Sequence, residues 1–223
     1  MNLNARNTTG GARLFAEIED ETAAAVFLDP QYRTNLDKLG YGNEGEGRGK
    51  RRADLPQMRD EMIRFFIEES VRVLRPSGHL FFWINKFLVV EATWRKWLPF
   101  SVEQPEGTLQ SVDMITWRKS RPGMGRRSRY RSEFLIVLQK QPIRAAGCWT
   151  DHRIDDVWYE AADTTRHPHA KPLQLTQRLI RATTKKGDLV VDPCAGSYSV
   201  LDCCIETGRN FFGCDVVDLG EDE

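Results

Sequence analysis

Strands and helices alternate along this chain, which predicts an α/β protein with a mostly parallel sheet, helices on both faces and antiparallel strands at one edge. Three observations carry that expectation. Short apolar runs at 23–28 and 188–191 each lead straight into an Asp-Pro turn, as buried parallel strands do. Amphipathic stretches at 59–74 and 172–183 alternate with such runs. The last unit, strand, turn, helix and strand over 188–216, has the form of half of a doubly wound sheet.

In order, residues 1–20 are polar and glycine-containing and read as a loose lead-in with one short helix. Residues 33–57 hold five glycines and few large apolar side chains, the composition of a long loop or lid. The helix at 59–74 has Met62, Ile63, Phe65, Phe66, Ile67, Val71, Val73 and Leu74 as a broad apolar stripe, and Pro76-Ser77-Gly78 stops it. A strand at 79–84 and a second helix at 89–98 follow. Strands at 110–117 and 133–138 come next, joined by a basic segment. The helix at 172–183 takes Pro172 in its first turn and turns Leu173, Leu175, Leu179 and Ile180 inward. Gly187 precedes the strand at 188–191, and a helix at 199–206 and a strand at 210–216 close the chain.

A chain of 223 residues is enough for one full domain and short for two. With 32 basic and 32 acidic residues there is no global electrostatic pull toward nucleic acid, so any such contact must come from local segregation of charge. That segregation exists: the stretch 118–131 holds Arg118, Lys119, Arg121, Arg126, Arg127, Arg129 and Arg131 and no acid, while 220–223 ends acidic. The five cysteines have no C-x-x-C spacing and read as small apolar residues in a reducing compartment. The four histidines have no metal-ligand spacing, so no metal is expected. Residues 1–6 have no signal-peptide apolar core and no run reaches membrane-spanning length, so the expected location is the cytoplasm.

Two short motifs carry chemistry. In the C-terminal unit the turn Asp192-Pro193-Cys194-Ala195-Gly196-Ser197 is built from small residues, and Asp215 follows 23 residues after Asp192. Such a turn lets backbone approach a nucleotide-like ligand while the later acid meets ribose hydroxyls. Alone, it is equally well read as an ordinary βαβ connection. Near the start, Asp29-Pro30-Gln31-Tyr32 ends an apolar run. The exocyclic amine of a nucleic-acid base is a poor nucleophile because its lone pair is delocalised into the ring. A carboxylate and a rigid backbone carbonyl that accept its two N–H groups would draw the nitrogen toward tetrahedral geometry, while an aromatic ring stacks on the base. Asp29, the Pro30 carbonyl and Tyr32 suit those roles, although a strand-ending turn with a surface Tyr is the simpler reading of these residues alone. The basic segment, broken by Gly and Pro and holding Tyr130, suits phosphate contacts with one stacking or wedging ring, against the plainer reading of a solvated charged face.

Taken together and in this order, the parts resemble the β-class DNA amino-methyltransferases, which methylate N6 of adenine or N4 of cytosine with S-adenosylmethionine. The target-amine motif of that family is usually Asp-Pro-Pro-Tyr, and its cofactor motif is usually Asp-Pro-Phe-x-Gly-Ser-Gly. His167-Pro168-His169-Ala170-Lys171-Pro172 matches the family's His-Pro-x-x-Lys-Pro element at each fixed position. The passage 72–80 looks like its helix-to-strand junction, and 209–215 like its closing strand. The match spans residues 18–218. Gln31 stands for the second Pro of the amine motif, Tyr198 for the last Gly of the cofactor turn, and Cys194 for its Phe.

The resemblance implies a Rossmann-like methyltransferase fold over a single domain, 1–223, with a flexible loop at about 33–57 and a small DNA-contact and target-recognition region at about 118–165. It implies Asp29, Pro30, Gln31 and Tyr32 at the reacting amine. It assigns Lys171, Asp192, Pro193, Ala195, Gly196, Ser197 and Asp215 to the S-adenosylmethionine pocket. The seven basic residues of 118–131 would meet double-stranded DNA, from which the target base must be flipped. Asp at the first motif position leans toward adenine N6. Cytosine N4 is the alternative, and a non-catalytic nucleic-acid-binding protein that has kept the fold is another. Such an enzyme is expected to act as a monomer or homodimer.

Overall fold

In the computed structural model, which describes residues 2–7, 10–31, 58–98, 108–123, 127–161, 163 and 170–215, eight strands share one sheet. They are β1 (Leu3–Asn7), β2 (Ala23–Leu28), β3 (Leu74–Ile84), β4 (Leu109–Gly123), β5 (Tyr130–Lys140), β6 (Val157–Glu160), β7 (Leu189–Asp192) and β8 (Asn210–Asp215). Across the sheet they run β1-β8-β7-β2-β3-β5-β4-β6. Every pairing from β1 to β3 is parallel, and β5 is antiparallel to both of its neighbours. This is the α/β, Rossmann-like arrangement that the alternating elements predicted.

Among the described residues the helices are α1 (Gly11–Phe15), α2 (Asp60–Val73), α3 (Lys86–Val90), α4 (Leu173–Thr183) and α5 (Ser199–Thr207), with a 3-10 turn at Thr93–Trp97. Side chains alternate across each strand with a period of two. From β3, Leu80, Phe82 and Ile84 enter one apolar layer with Leu14, Phe15, Ile63, Phe66 and Ile67 of α1 and α2. Phe81 and Trp83 enter the other with Leu175, Leu179, Ile180 and Cys203 of α4 and α5. Both faces of the central strands are covered, which is why β2 and the Leu80–Ile84 part of β3 read as unbroken apolar runs.

The helix that follows β7 packs on one face and the helix that precedes β3 on the other. After β7 the chain moves to β8 on one side, and after β2 it moves to β3 on the opposite side. The gap between the carboxyl ends of β2 and β7 is therefore the switch point of the sheet, where open α/β sheets bind ligands.

The structure departs from the expected elements in five places, in one of which β4 runs on to Gly123 and β5 starts at Tyr130, so that most of the expected basic connection is strand. The lead-in is not all loose: β1 pairs parallel to β8 and extends the sheet by one strand. The expected helix at 89–98 is a short α3 and a separate 3-10 turn, because Ala92 takes a left-handed conformation that breaks the helical hydrogen bonding. Pro76-Ser77-Gly78 does turn the chain, but β3 already begins at Leu74 and resumes its pairing with β2 at His79. A short strand, β6, lies parallel to β4, and its alternation is too brief to stand out from a loop.

Arg72, in the last turn of α2, ties this helix to the lead-in. Its guanidinium donates to the carbonyls of Phe15 (2.7 Å) and Ile18 (2.8 Å) and to the carboxylates of Asp20 and Glu69. These partners hold its pKa above the ordinary arginine value, with the Glu69 hydrogen bond the largest cause. Hydrogen bonds to charged groups contribute about 1.5–3 kcal/mol each, and this side chain is part-exposed, so Arg72→Met is expected to destabilise the chain by about 2–3 kcal/mol. Urea unfolding measures this, and an unchanged midpoint would show the tie to be idle.

Candidate active site

The two predicted acids meet at the switch point. Asp29 follows the last residue of β2, and Asp192 is the last residue of β7. Pro30 is buried and Gln31 half-buried, and the Gln31 carbonyl accepts from the Met58 amide at 2.7 Å. Tyr32, the loop at 33–57, His167 to His169 and Arg126 lie outside the described residues.

The turn after β7 is closely tied to β8. Asp192 is buried and its Oδ1 accepts from the Cys194 amide at 3.1 Å. The Ala195 amide donates to the Cys214 carbonyl at 2.9 Å, and the Gly196 amide donates to Asp215 Oδ2 at 2.8 Å. Gly213 faces Asp192 across the ladder, and a Cβ there would stand 2.8 Å from the Asp192 carbonyl and closer still to the Phe211 ring. Gly196 has φ +51°, and nothing lies within 4 Å of where its Cβ would be. Open space over a small-residue turn, with Asp215 beside it, fits a nucleoside-bearing cofactor at the ends of β7 and β8. Pro193 and Ala195 are buried in this turn and Ser197 is half-exposed.

Tyr198 also takes a left-handed conformation, φ +56°, a geometry that costs a non-glycine residue roughly 1–2 kcal/mol. Its ring meets Phe211 edge-on at 6.4 Å and packs against the layer formed by α4 and α5. Burial first, and then the Asp215 charge, raise its phenol above the ordinary tyrosine value. The ring is thus anchored on the sheet face rather than loose over the turn.

Lys171 is the junction of the site. Its Nζ lies 2.9 Å from Asp29 Oδ2 and 2.9 Å from Glu133 Oε2, and 5.3 Å from the centre of the Trp83 ring. Lys119 pairs with the other oxygen of Glu133. Four charges of alternating sign therefore run from β4 through β5 and the start of α4 to β2. The Glu160 carboxylate anchors the start of α4, just after Lys171, by accepting from the amides of Gln174 (2.9 Å) and Leu175 (3.1 Å). It caps α4 in place of the N-cap residue Pro172, which has no side-chain acceptor. Sequence reasoning missed Glu133, Glu160 and Trp83. Glu133 could have been noticed as the first acid after the basic run.

Burial raises the Asp29 carboxyl above the ordinary carboxylate value, with Lys171 acting against it. Burial also opposes ionisation of Glu133, but Lys171 and Lys119 outweigh it and hold that carboxyl down at about 2. Asp192 has no cation among the causes of its shift, and burial pushes it up to about 8.

β5 runs antiparallel to β3, so the connection between β4 and β5 overhangs the edge that carries Asp29 and Asp192. Arg118, Arg121, Arg127, Arg129 and Arg131 are exposed there, whereas Lys119 turns inward to Glu133. Lys86 holds the connection from below, with its Nζ 4.0 Å from the Tyr130 ring centre and 3.2 Å from the Ser128 hydroxyl. Among the described residues no group of three His, Cys, Asp or Glu side chains is placed to hold a metal, and no helix is long and apolar enough to cross a membrane.

The raised Asp192 has a measurable consequence. An acid whose folded pKa lies above its unfolded value binds its proton more tightly in the folded chain. Stability is then greatest below the unfolded value, near 4, and falls by up to about 1.4 kcal/mol per pH unit up to about pH 8. Asp192→Asn keeps the acceptor for Cys194 and removes the titration. Its melting temperature is expected to exceed that of the parent above pH 5, by a margin that grows toward pH 8. A difference independent of pH would overturn the assignment.

Comparison with known proteins agrees with this geometry. A family model described as DNA methylase matches residues 23–218. The chain is 50% identical over 221 residues to the Type II methyltransferase M.HhaII of Haemophilus parahaemolyticus, covering 99% of this chain and 94% of that one. It is 25% identical to the Type II methyltransferase M2.DpnII of Streptococcus pneumoniae, over 91% of this chain and 81% of that one. Solved structures share the fold at low identity. The M1.HpyAVI–SAM complex superposes with a TM-score of 0.64 at 16% identity, covering 96% of this chain and 92% of that one. PvuII DNA methyltransferase, described as cytosine-N4-specific, superposes with a TM-score of 0.67 at 14% identity, covering 96% and 83%. Motif order, sheet topology and relatives agree, and the chain belongs to the β-class DNA amino-methyltransferases, the S-adenosylmethionine-dependent N6/N4 family.

Proposed function

We propose that this chain transfers a methyl group from S-adenosylmethionine to the N6 amine of adenine in double-stranded DNA, as a single cytoplasmic methyltransferase domain. The observation that carries the reading is the position of Asp29 at the sheet's switch point, beside the Asp192-to-Ser197 turn and Asp215. Asp29 rather than Ser at the first motif position favours adenine over cytosine. In this reading Asp29 and the Pro30 carbonyl accept the two N–H groups of a flipped base and localise the nitrogen lone pair, and Tyr32 stacks on the ring. Gln31 shapes the same turn.

Asp215 and the Gly196 backbone would hold the nucleoside part of the cofactor. Asp192, Pro193, Ala195 and Ser197 would shape the pocket around it, with Lys171 at its border. When bound, the cofactor supplies an electrophilic methyl group on a sulfonium. The contribution of the protein is mainly to hold the amine in line with that group and to exclude water. The exposed arginines between β4 and β5, in a contact region of about 118–165, would hold phosphates and help offset the few kcal/mol, about, that base flipping requires.

Incubation with labelled S-adenosylmethionine and mixed-sequence duplex DNA, followed by digestion to nucleosides, is expected to place the label in N6-methyladenine. Label in N4-methylcytosine would keep the mechanism and reassign the base, and absence of label would sink the reading. Asp29→Ala is expected to lower kcat by about 10²–10³, the usual loss when one preorganised polar group is removed. A double Arg127→Glu, Arg129→Glu variant is expected to weaken binding to all duplexes alike and to reduce the salt dependence of the binding constant by about one ion per lost contact. Anisotropy titrations from low to physiological salt measure this, and an unchanged slope would move DNA to another face.

A further inference from the structure

We propose that Glu133 is a positioning residue that draws Lys171 partly away from Asp29 and so leaves Asp29 able to accept the target amine. The inference rests on the reading of Asp29 as the group that binds this amine. It starts from a competition. A lysine ammonium carries N–H donors, as the amine of a base does, and it sits 2.9 Å from Asp29 Oδ2. Lys171 therefore engages the carboxylate that the substrate must reach. It is only 16% exposed, so water cannot readily replace Asp29 as its partner.

Glu133 provides the alternative. Its Oε2 is also 2.9 Å from Lys171 Nζ, so the ammonium is already shared between two carboxylates. Glu133 is itself held firmly. Its strand position is set by pairing opposite Trp117 in β4, and its other oxygen is engaged by Lys119, whose Nζ stands 4.8 Å from the centre of the Trp117 ring. The Trp83 ring lies on a further side of Lys171. As the amine arrives, Lys171 can give up Asp29 while keeping a charged partner. Without the Glu133 charge, Lys171 would lean more fully on the Asp29 carboxylate and the amine would have to displace it from a tighter, part-buried ion pair. Glu133 also acts on Asp29 directly, since its negative charge opposes ionisation of that carboxyl. Loss of the charge should therefore lower the Asp29 pKa by both routes.

The test compares Glu133→Gln, Lys171→Met and the double variant in the full chain, with saturating S-adenosylmethionine and varied duplex DNA. Glu133→Gln is expected to lower kcat/KM for DNA about tenfold, within the range found for coupled neighbours, and Glu133→Asp to recover part of it. In the Lys171→Met background the same change should alter kcat/KM less than about twofold, because Glu133 has lost the group through which it acts. An equal loss in both backgrounds would overturn the proposal and leave Glu133 a general structural ion pair. A second readout does not depend on turnover: carbon-13 titration of the Asp29 carboxyl, assigned with Asp29→Asn, should move to lower pH in Glu133→Gln and to higher pH in Lys119→Met, which removes a cation that lowers it and leaves Glu133 to Lys171. An unmoved titration would also overturn the proposal. If the parent chain failed to methylate DNA while the titration moved as expected, the functional reading would fall and the charge network would stand.

Discussion

The parallel pairing of β2 with β7 is the constraint on which the rest depends. It brings together Asp29 and Asp192, which are 163 residues apart in the chain, at the one place in the sheet where the following connections leave toward opposite sides. That divergence opens the crevice. The same pairing requires short, fully apolar strands, because both faces are covered by helices, and it requires each strand to stop abruptly so that a polar side chain can stand at its end. The Asp-Pro sequence meets the second need twice, since proline cannot donate to a continuing ladder.

The elements that could be read in the sequence are those whose local chemistry and tertiary role agree. The apolar runs of β2 and β7, the amphipathic α2 and the small-residue turn at Asp192 each carry their signal within a few neighbouring residues. The residues that escaped are those whose role exists only in three dimensions. Glu133 follows a run of arginines and looks like the end of a charged loop, yet the antiparallel register of β5 against β3 turns it toward Lys171. Glu160 lies on a strand of four residues and acts on a helix that begins thirteen positions later. β1 is polar because it lies at the sheet edge, so it lacks the apolar signature of its central neighbours.

Lys119 shows how residue type can mislead where register decides. In sequence it belongs with the arginines around it. In the strand, the period of two places it opposite to Arg118: Arg118 is exposed and lies 5.4 Å from the Tyr159 ring centre, while Lys119 turns to Glu133. A basic segment that forms strand rather than loop divides its charges between two faces. One set is open to a polyanion, and the other supports the carboxylates beneath it.

Tyr198 tests whether a departure from the family pattern must damage the site. A left-handed tyrosine costs roughly 1–2 kcal/mol relative to glycine at that position. The ring recovers a comparable amount, since an edge-on aromatic contact contributes about 0.5–1.5 kcal/mol beyond the apolar area it buries. The left-handed backbone at Tyr198 is one that glycine adopts readily, and the amides of Ala195 and Gly196 find partners on β8. The turn is pinned at Phe211 by a large side chain, a contact that glycine could not make. The substitution thus exchanges conformational freedom for packing while leaving the acids at the ends of β7 and β8 in place, which argues against the ring as the mark of an abandoned cofactor site.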